Sequence, residues 1–249
     1  MRLADAPWTA VRDALAAGPV AAILPVGAVE AHGPHLPLAT DMIISEGFAD
    51  RAATALKAQN VRAFVLPTLA YTPADYAAAF PGTISIGSAT ARAVLLDIAR
   101  SLKAQGFACL GIANSHFDPA NVAMLREAVA EIATMGLPVA FPDFTRRALA
   151  TMLTEEFKSG ACHAGQFETS LVLADRPDLV ESASVTLPDN PSSLTAAFTR
   201  GATNFAEAGG PDAYFGNPSG ASITEGEASY AIMARALTQT IAETVANRA

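Results

Sequence analysis

The 249-residue chain has four histidines, and all four fall in three short polar stretches. "VEAHGPHLPLATD" (Val29–Asp41) carries Glu30, His32, His35 and Asp41. "NSHFD" (Asn114–Asp118) carries His116 and Asp118, and "HAGQFETS" (His163–Ser170) carries His163, Gln166 and Glu168. Glu30 and His32 are two residues apart, so an extended segment points both side chains the same way. His116 and Asp118 repeat that spacing, and Asp41 can return to the same place after a proline-containing loop. Carboxylates and imidazoles converging in this way suit Zn²⁺, Mn²⁺ or Fe²⁺ and lack the thiolates of a structural zinc site. One bridging carboxylate would hold two ions about 3.5–4 Å apart, and such ions lower the pKa of bound water from about 15.7 toward roughly 7.

Each motif has a plainer reading. A single His-x-Asp is weak evidence for a metal, and Glu-x-His beside prolines could be a turn with solvated charges. The conjunction of three motifs is what points to a metal site. Cys162 stands next to His163, but neighbouring residues on a helix or strand do not face each other, so it reads as a small buried cysteine. Ser115 and Ser170 lie near histidines without a G-x-S-x-G elbow. "GTISIG" and "GASITEG" match neither phosphate-binding glycine pattern.

The elements that must position these residues alternate along the chain. Short apolar runs at Val20–Gly27, Val61–Leu69, Phe107–Asn114 and Leu137–Pro142 read as buried strands of a parallel sheet. Amphipathic segments at roughly Met42–Gln59, Ser88–Gln105, Pro119–Met135 and Asp143–Lys158 read as helices between and after them. Gly106 is placed to end one helix and Pro119 to begin another. Helices near Gln166–Ala174 and Glu225–Val245 complete the count, and Pro188–Gly220 reads as loops. This rhythm predicts an α/β fold, a three-layer α/β/α sandwich with a mostly parallel central sheet, spanning residues 1–249 as one domain. Ligands of such sheets bind at the carboxyl ends of the strands, where the first two polar motifs begin.

Composition sets the outer bounds. The formal charge of −8 provides no cationic footprint for nucleic acid. No apolar run is long enough for a membrane span, and two cysteines make no disulfide framework. The N-terminal stretch lacks the apolar core of a signal peptide, so a cytoplasmic location is expected.

The motifs together resemble the creatininase (creatinine amidohydrolase) family. "LPVGAVEAHGPHLPLATD" (Leu24–Asp41), "FPGTISIG" (Phe80–Gly87), "GIANSHFDPAN" (Gly111–Asn121), "HAGQFETSLVLADRPDLV" (His163–Val180) and "GNPSGASITEGEA" (Gly216–Ala228) carry the likeness in the family's order. The resemblance implies an α/β sandwich, a dinuclear metal centre and homo-oligomers, often hexamers. It implies Glu30, Asp41 and His116 around one ion and His32, Asp41 and Asp118 around the other, with Asp41 bridging. His163 would carry a proton to the leaving nitrogen, Glu168 would orient the site, and His35 would fix the loop rather than bind metal. Many relatives have "NGHGGN" and "HAGExETS", where this chain has Asp118 and Gln166, so Asp118 is expected to supply the charge that Gln166 cannot. Creatininase places tryptophans near its substrate, whereas the one tryptophan here is Trp8. The loop Tyr71–Thr83 has its own polar set, Tyr71, Asp75 and Tyr76. The expected function is metal-dependent hydrolysis of a C–N bond in a small, possibly cyclic, amide. Alternatives are a formamide deformylase, a peptide-maturation hydrolase, or a metal-free small-molecule binding protein on this fold.

Overall fold

The structure, a computed structural model, describes residues 1–161 and 163–247. Cys162, read above as a buried cysteine, lies outside the described residues. In chain order the elements are α1 (Trp8–Ala16), β1 (Val20–Val26), α2 (Thr40–Ala58), β2 (Arg62–Val65), α3 (Ser88–Gln105), β3 (Cys109–Asn114) and α4 (Pro119–Thr134). They continue as β4 (Val139–Ala140), α5 (Arg147–Ala150), α6 (Glu155–Ser159), α7 (Gln166–Asp175), α8 (Leu194–Thr199), α9 (Phe205–Ala208) and α10 (Ile223–Ala246). The four strands form one parallel sheet in the order β2-β1-β3-β4.

Alternation along β1 splits the core into two layers. Ala21 and Ile23 join the cluster that includes Phe48 and Leu56 of α2, Leu171 of α7 and Leu237 of α10. Val20, Ala22, Leu24 and Val26 join Leu95 of α3 and Leu125 of α4 on the other face. The result is the expected α/β/α sandwich. Every residue of β1 and β3 is buried, which explains why their sequences read as continuous apolar runs rather than alternating ones. At the α7–α10 crossing the backbones nearly touch: a Cβ on Gly226 would stand 2.0 Å from the carbonyl oxygen of Ser170.

Several sequence boundaries hold closely. Helix α3 covers the expected residues and ends at Gly106, whose φ of +86° suits glycine. Pro119 occupies the first turn of α4. Two expectations need correction. The amphipathic stretch Asp143–Lys158 is not one helix but the short pair α5 and α6. Its Asp143 carboxylate gathers Arg126, Thr145 and Arg146, and the Thr154 hydroxyl accepts from Phe157 N–H to start α6 afresh. The stretch Pro188–Gly220 is not all loop: Ser193 and Asn204 cap α8 and α9, and Leu194, Ala197, Phe205 and Phe215 form a third small core there. Among the described residues no helix is long and apolar enough to cross a membrane.

Candidate metal centre

The polar motifs meet at the carboxyl ends of β1 and β3. The chain leaves β1, turns through two prolines, and re-enters as α2 with Asp41 in its first turn. Glu30 N–H donates to Leu38 C=O at 3.0 Å, and the Thr40 hydroxyl donates to Pro37 C=O at 2.7 Å, which closes that loop. Gly27 lets the start of α2 lie against the end of β1, since a Cβ there would stand 2.8 Å from the Asp41 carbonyl carbon. The Ser115 hydroxyl, just past β3, donates to Asp41 C=O at 2.6 Å. Strand ends and helix start are thereby locked, and Asp41 stands between the two motifs.

Glu30, His32, His35, Asp41, His116, Asp118, His163 and Glu168 are all buried. His116 Nδ1 lies 3.0 Å from Asp41 Oδ2 and 3.1 Å from Glu30 Oε2. Its other nitrogen, Nε2, donates to Pro73 C=O at 2.7 Å. His32 repeats this arrangement with its nitrogens exchanged. Nδ1 donates to Glu30 C=O at 3.0 Å, and Nε2 stands 3.5 Å from both Asp41 Oδ1 and Glu168 Oε2. A backbone carbonyl that takes one ring N–H leaves the other nitrogen to donate a lone pair, as metal-binding imidazoles require. His32 Nε2 has no hydrogen-bond partner among the described residues although it is fully buried. Such a group costs free energy unless something satisfies it, and the donor atoms around it are those a divalent cation takes.

Two ligand groups therefore share one carboxylate: Glu30, Asp41 and His116, and His32, Asp41 and Glu168. A third, Glu30, His32 and His163, adjoins them. The first group matches the expected set. In the second, the structure brings in Glu168 where the resemblance implied Asp118. Asp118 instead caps α4, its Oδ1 accepting from Ala120 N–H at 2.7 Å, while Oδ2 makes no hydrogen bond among the described residues. Glu168 enters through the first turn of α7, with Ala164 N–H donating to its Oε2 at 2.7 Å. Ala164 adopts a φ of +51° to make that bond, a left-handed conformation costing an L-residue roughly 1 kcal/mol or more.

The cluster is tuned by burial and by its own charges. Burial opposes ionisation of Glu30 and Asp41, but the imidazoles of His116 and His32 outweigh it and hold both carboxyls below the usual range. Burial likewise disfavours the charged imidazoles, yet Asp41 and Glu168 raise His32 to about 10, and Glu30 and Asp41 hold His116 well above its ordinary value. Burial raises Glu168 to about 8. Burial, followed by the nearby charge of His32, lowers His163 to about 4.

The remaining residues singled out from sequence divide clearly. His163 lies in the centre, its Nε2 donating to Ala31 C=O at 2.9 Å and its ring 4.3 Å from that of His32. His35 stands outside the ligand groups and bonds Thr169 Oγ1 through Nε2 at 3.0 Å, tying the first motif to α7 beside Glu168. Gln166 points to α10, donating to Glu225 Oε2 at 2.6 Å. Asp75 accepts from the Ser85 hydroxyl at 2.6 Å. Sequence reasoning assigned no role to Asn114 and Asn121, whose side-chain amides both donate to His116 C=O, at 2.9 and 2.8 Å. Their only signal was an amide on each side of a histidine at a strand end. It also missed the walls of the cavity above the centre, of about 450 Å³, to which Phe117, Phe157, Phe198 and Phe205 contribute alongside Tyr76.

The fold and site define an α/β sandwich with a buried histidine–carboxylate centre opening on a small cavity. The family model described as creatinine amidohydrolase matches residues 4–241, and the chain belongs to the creatininase family. It is 30% identical over 190 residues to creatinine amidohydrolase of Pseudomonas putida, covering 70% of this chain and 71% of that one. It is 31% identical over 217 residues to the mycofactocin precursor peptide peptidase of Mycolicibacterium smegmatis, covering 85% and 80%. Among solved structures, a manganese form of creatininase superposes with a TM-score of 0.76 at 26% identity, covering 97% of each chain. A creatinine amidohydrolase structure from Bacteroides fragilis, described as putative, gives 0.75 at 26% identity, covering 98% and 96%. The chain is thus a creatininase-family amidohydrolase whose structural neighbours include manganese and zinc forms.

Proposed function

We propose that the protein hydrolyses a C–N bond of a small amide with two divalent ions, one held by Glu30, Asp41 and His116 and the other by His32, Asp41 and Glu168. The observation that carries this is the paired imidazole geometry. Each ring gives one N–H to a backbone carbonyl and turns its other nitrogen to the shared Asp41. When bound, zinc, manganese or iron would supply Lewis acidity and a water acidic enough to be a nucleophile near neutral pH. The chain's own residues do the rest. Asp41 and Glu30 stay ionised at neutral pH. His163, held below its usual range, is neutral there and able to take the proton of the attacking water. Protonated, it is a strong acid that returns the proton to the departing nitrogen. The Ala31 carbonyl fixes its ring through Nε2, leaving Nδ1 for that transfer.

The cavity volume falls within the range of small-molecule sites, about 300–1,000 Å³, and supports a compact amide over a long polypeptide. The peptide peptidase relative favours a second reading, in which the substrate is the end of a peptide. Homo-oligomeric assembly is proposed on the family resemblance, and a cytoplasmic location on composition, with two cysteines and no disulfide framework. The test is metal content beside turnover on a panel of lactams, formamides and short peptides. Two ions per chain are expected, with Asp41→Ala losing both and Glu168→Gln losing one. Full turnover by protein verified to hold no metal would overturn the mechanism.

A further inference from the structure

The cavity has a second pole, and it is cationic. Asp118, Val122 and Arg126 are spaced i, i+4, i+8, so they share one face of α4, and all three line the cavity. Eight residues at 1.5 Å each place the Arg126 backbone about 12 Å along the helix from the metal centre's edge at Asp118. Lys158, at the end of α6, lines the cavity with it. The carboxylates lining the cavity are those of the centre itself or beside it: Glu30, Asp41, Asp118 and Glu168.

The two cations are held differently, Lys158 loosely and Arg126 firmly against the nearly buried Asp143. Lys158 pairs with Glu155, whose side chain is 91% exposed, and such i, i+3 surface pairs contribute only tenths of a kcal/mol. Arg126 gives Nε and Nη2 to Asp143 and Thr145, while its Nη1 makes no hydrogen bond among the described residues. Between the two poles the walls are aromatic: Phe117 and Phe157 meet edge to face at 5.5 Å, and Tyr76 and Phe198 lie at 4.5 Å.

We infer that Lys158 and Arg126 are specificity-determining residues that anchor an acid group of the substrate, so the substrate is an amide with a flat apolar body and a carboxylate several bonds from the scissile carbonyl. This rests on the hydrolase reading above, since the scissile amide must lie at the centre. With the Arg126 backbone about 12 Å along α4 from Asp118, the space between the poles suits one ring, and the aromatic walls suit that ring. A chain with an overall charge of −8 otherwise repels anions, so cations placed here are needed to admit one.

The test uses zinc-reconstituted full-length protein and two probes differing only in the remote group, 4-acetamidobenzoate and 4-acetamidotoluene. The acid is expected to have a kcat/KM at least tenfold higher, mainly through KM, and the preference should shrink in 0.5 M salt. Lys158→Met should bring the ratio to within about twofold, and Lys158→Arg should restore it. Lys158 is the better target because Arg126 also holds Asp143 in place. Calorimetric binding of the same two probes is measured in parallel. If neither probe nor any panel amide is cleaved, the hydrolase reading fails, and the binding ratio still decides on the anion anchor. Equal affinity for both probes, or a preference that survives in Lys158→Met, would overturn the inference.

Discussion

Loading the centre with metal must drive protons off it, and their number follows from the residues. Without metal, at pH 7, His32 at about 10 and His116 well above its ordinary value each carry a proton on the nitrogen that faces Asp41. Glu168 at about 8 is also largely protonated, whereas Glu30 and Asp41 are ionised and have none to give. A ligand atom cannot bind a cation and keep its proton, so binding two ions at pH 7 should release roughly three protons per chain. At pH 9 the Glu168 share falls from about 0.9 to about 0.1, so the release should drop by roughly one proton. The sign is fixed: the metal-free state binds more protons, so affinity rises with pH, and more steeply at pH 7 than at pH 9. Titration calorimetry of chelator-stripped protein with zinc, in buffers of different ionisation enthalpy, gives the proton count directly. Release of fewer than one proton at pH 7 would mean that the imidazoles are neutral beside their carboxylates, and the charge pattern argued for the centre would be wrong.

Two further outcomes follow from single side chains. Asp118→Ala should cost about 1 kcal/mol through the lost cap on α4, and Asp118→Asn far less, because asparagine caps as well; metal content should stay at two ions in the asparagine variant, and loss of one would return Asp118 to the second ligand group. Glu156 accepts from Phe167 N–H at 2.8 Å and Asn217 N–H at 2.7 Å, so Glu156→Ala strands both donors and should lower stability by about 2–4 kcal/mol in chemical denaturation; an unchanged midpoint would remove Glu156 from the supports of α7.

The layers of the fold were legible because burial writes itself into composition. Strands β1 and β3 are covered on both sides, so they read as apolar from Val20 to Val26 and from Cys109 to Ala113, with Asn114 closing β3. Helix α3 was legible to the residue because its apolar stripe and its terminal glycine agree. The Asp143–Lys158 stretch misled because its apolar residues have helical spacing while its threonines and Asp143 satisfy the backbone locally instead. Strand β4, only two residues long, is an edge strand, where one-sided pairing leaves little to specify length.

The first ligand group was legible for a different reason: Glu30 and His116 follow closely on the ends of β1 and β3, which pair in the sheet, and the proline loop returns Asp41 to them at the start of α2, where Gly27 and Ser115 hold it. The second group depends on how α7 enters, and no spacing rule encodes that. Glu168 stands beside Asp41 and His32 with its carboxylate held by Ala164 N–H from a left-handed turn. Asp118 shows the converse. An aspartate two residues after a histidine and directly before a proline is at once a plausible metal ligand and a strong helix N-cap, since proline suits the first helical position and the two N–H groups beyond it need an acceptor. Local chemistry makes both readings from the same four letters. The cap uses only Oδ1, so the buried Oδ2, with no hydrogen bond among the described residues, remains at the cavity wall where α4 begins, and burial shifts this carboxyl upward. A substrate carboxylate brought to the centre would face that oxygen together with Glu30, Asp41 and Glu168, which favours binding with the acid group turned outward to Lys158 and Arg126.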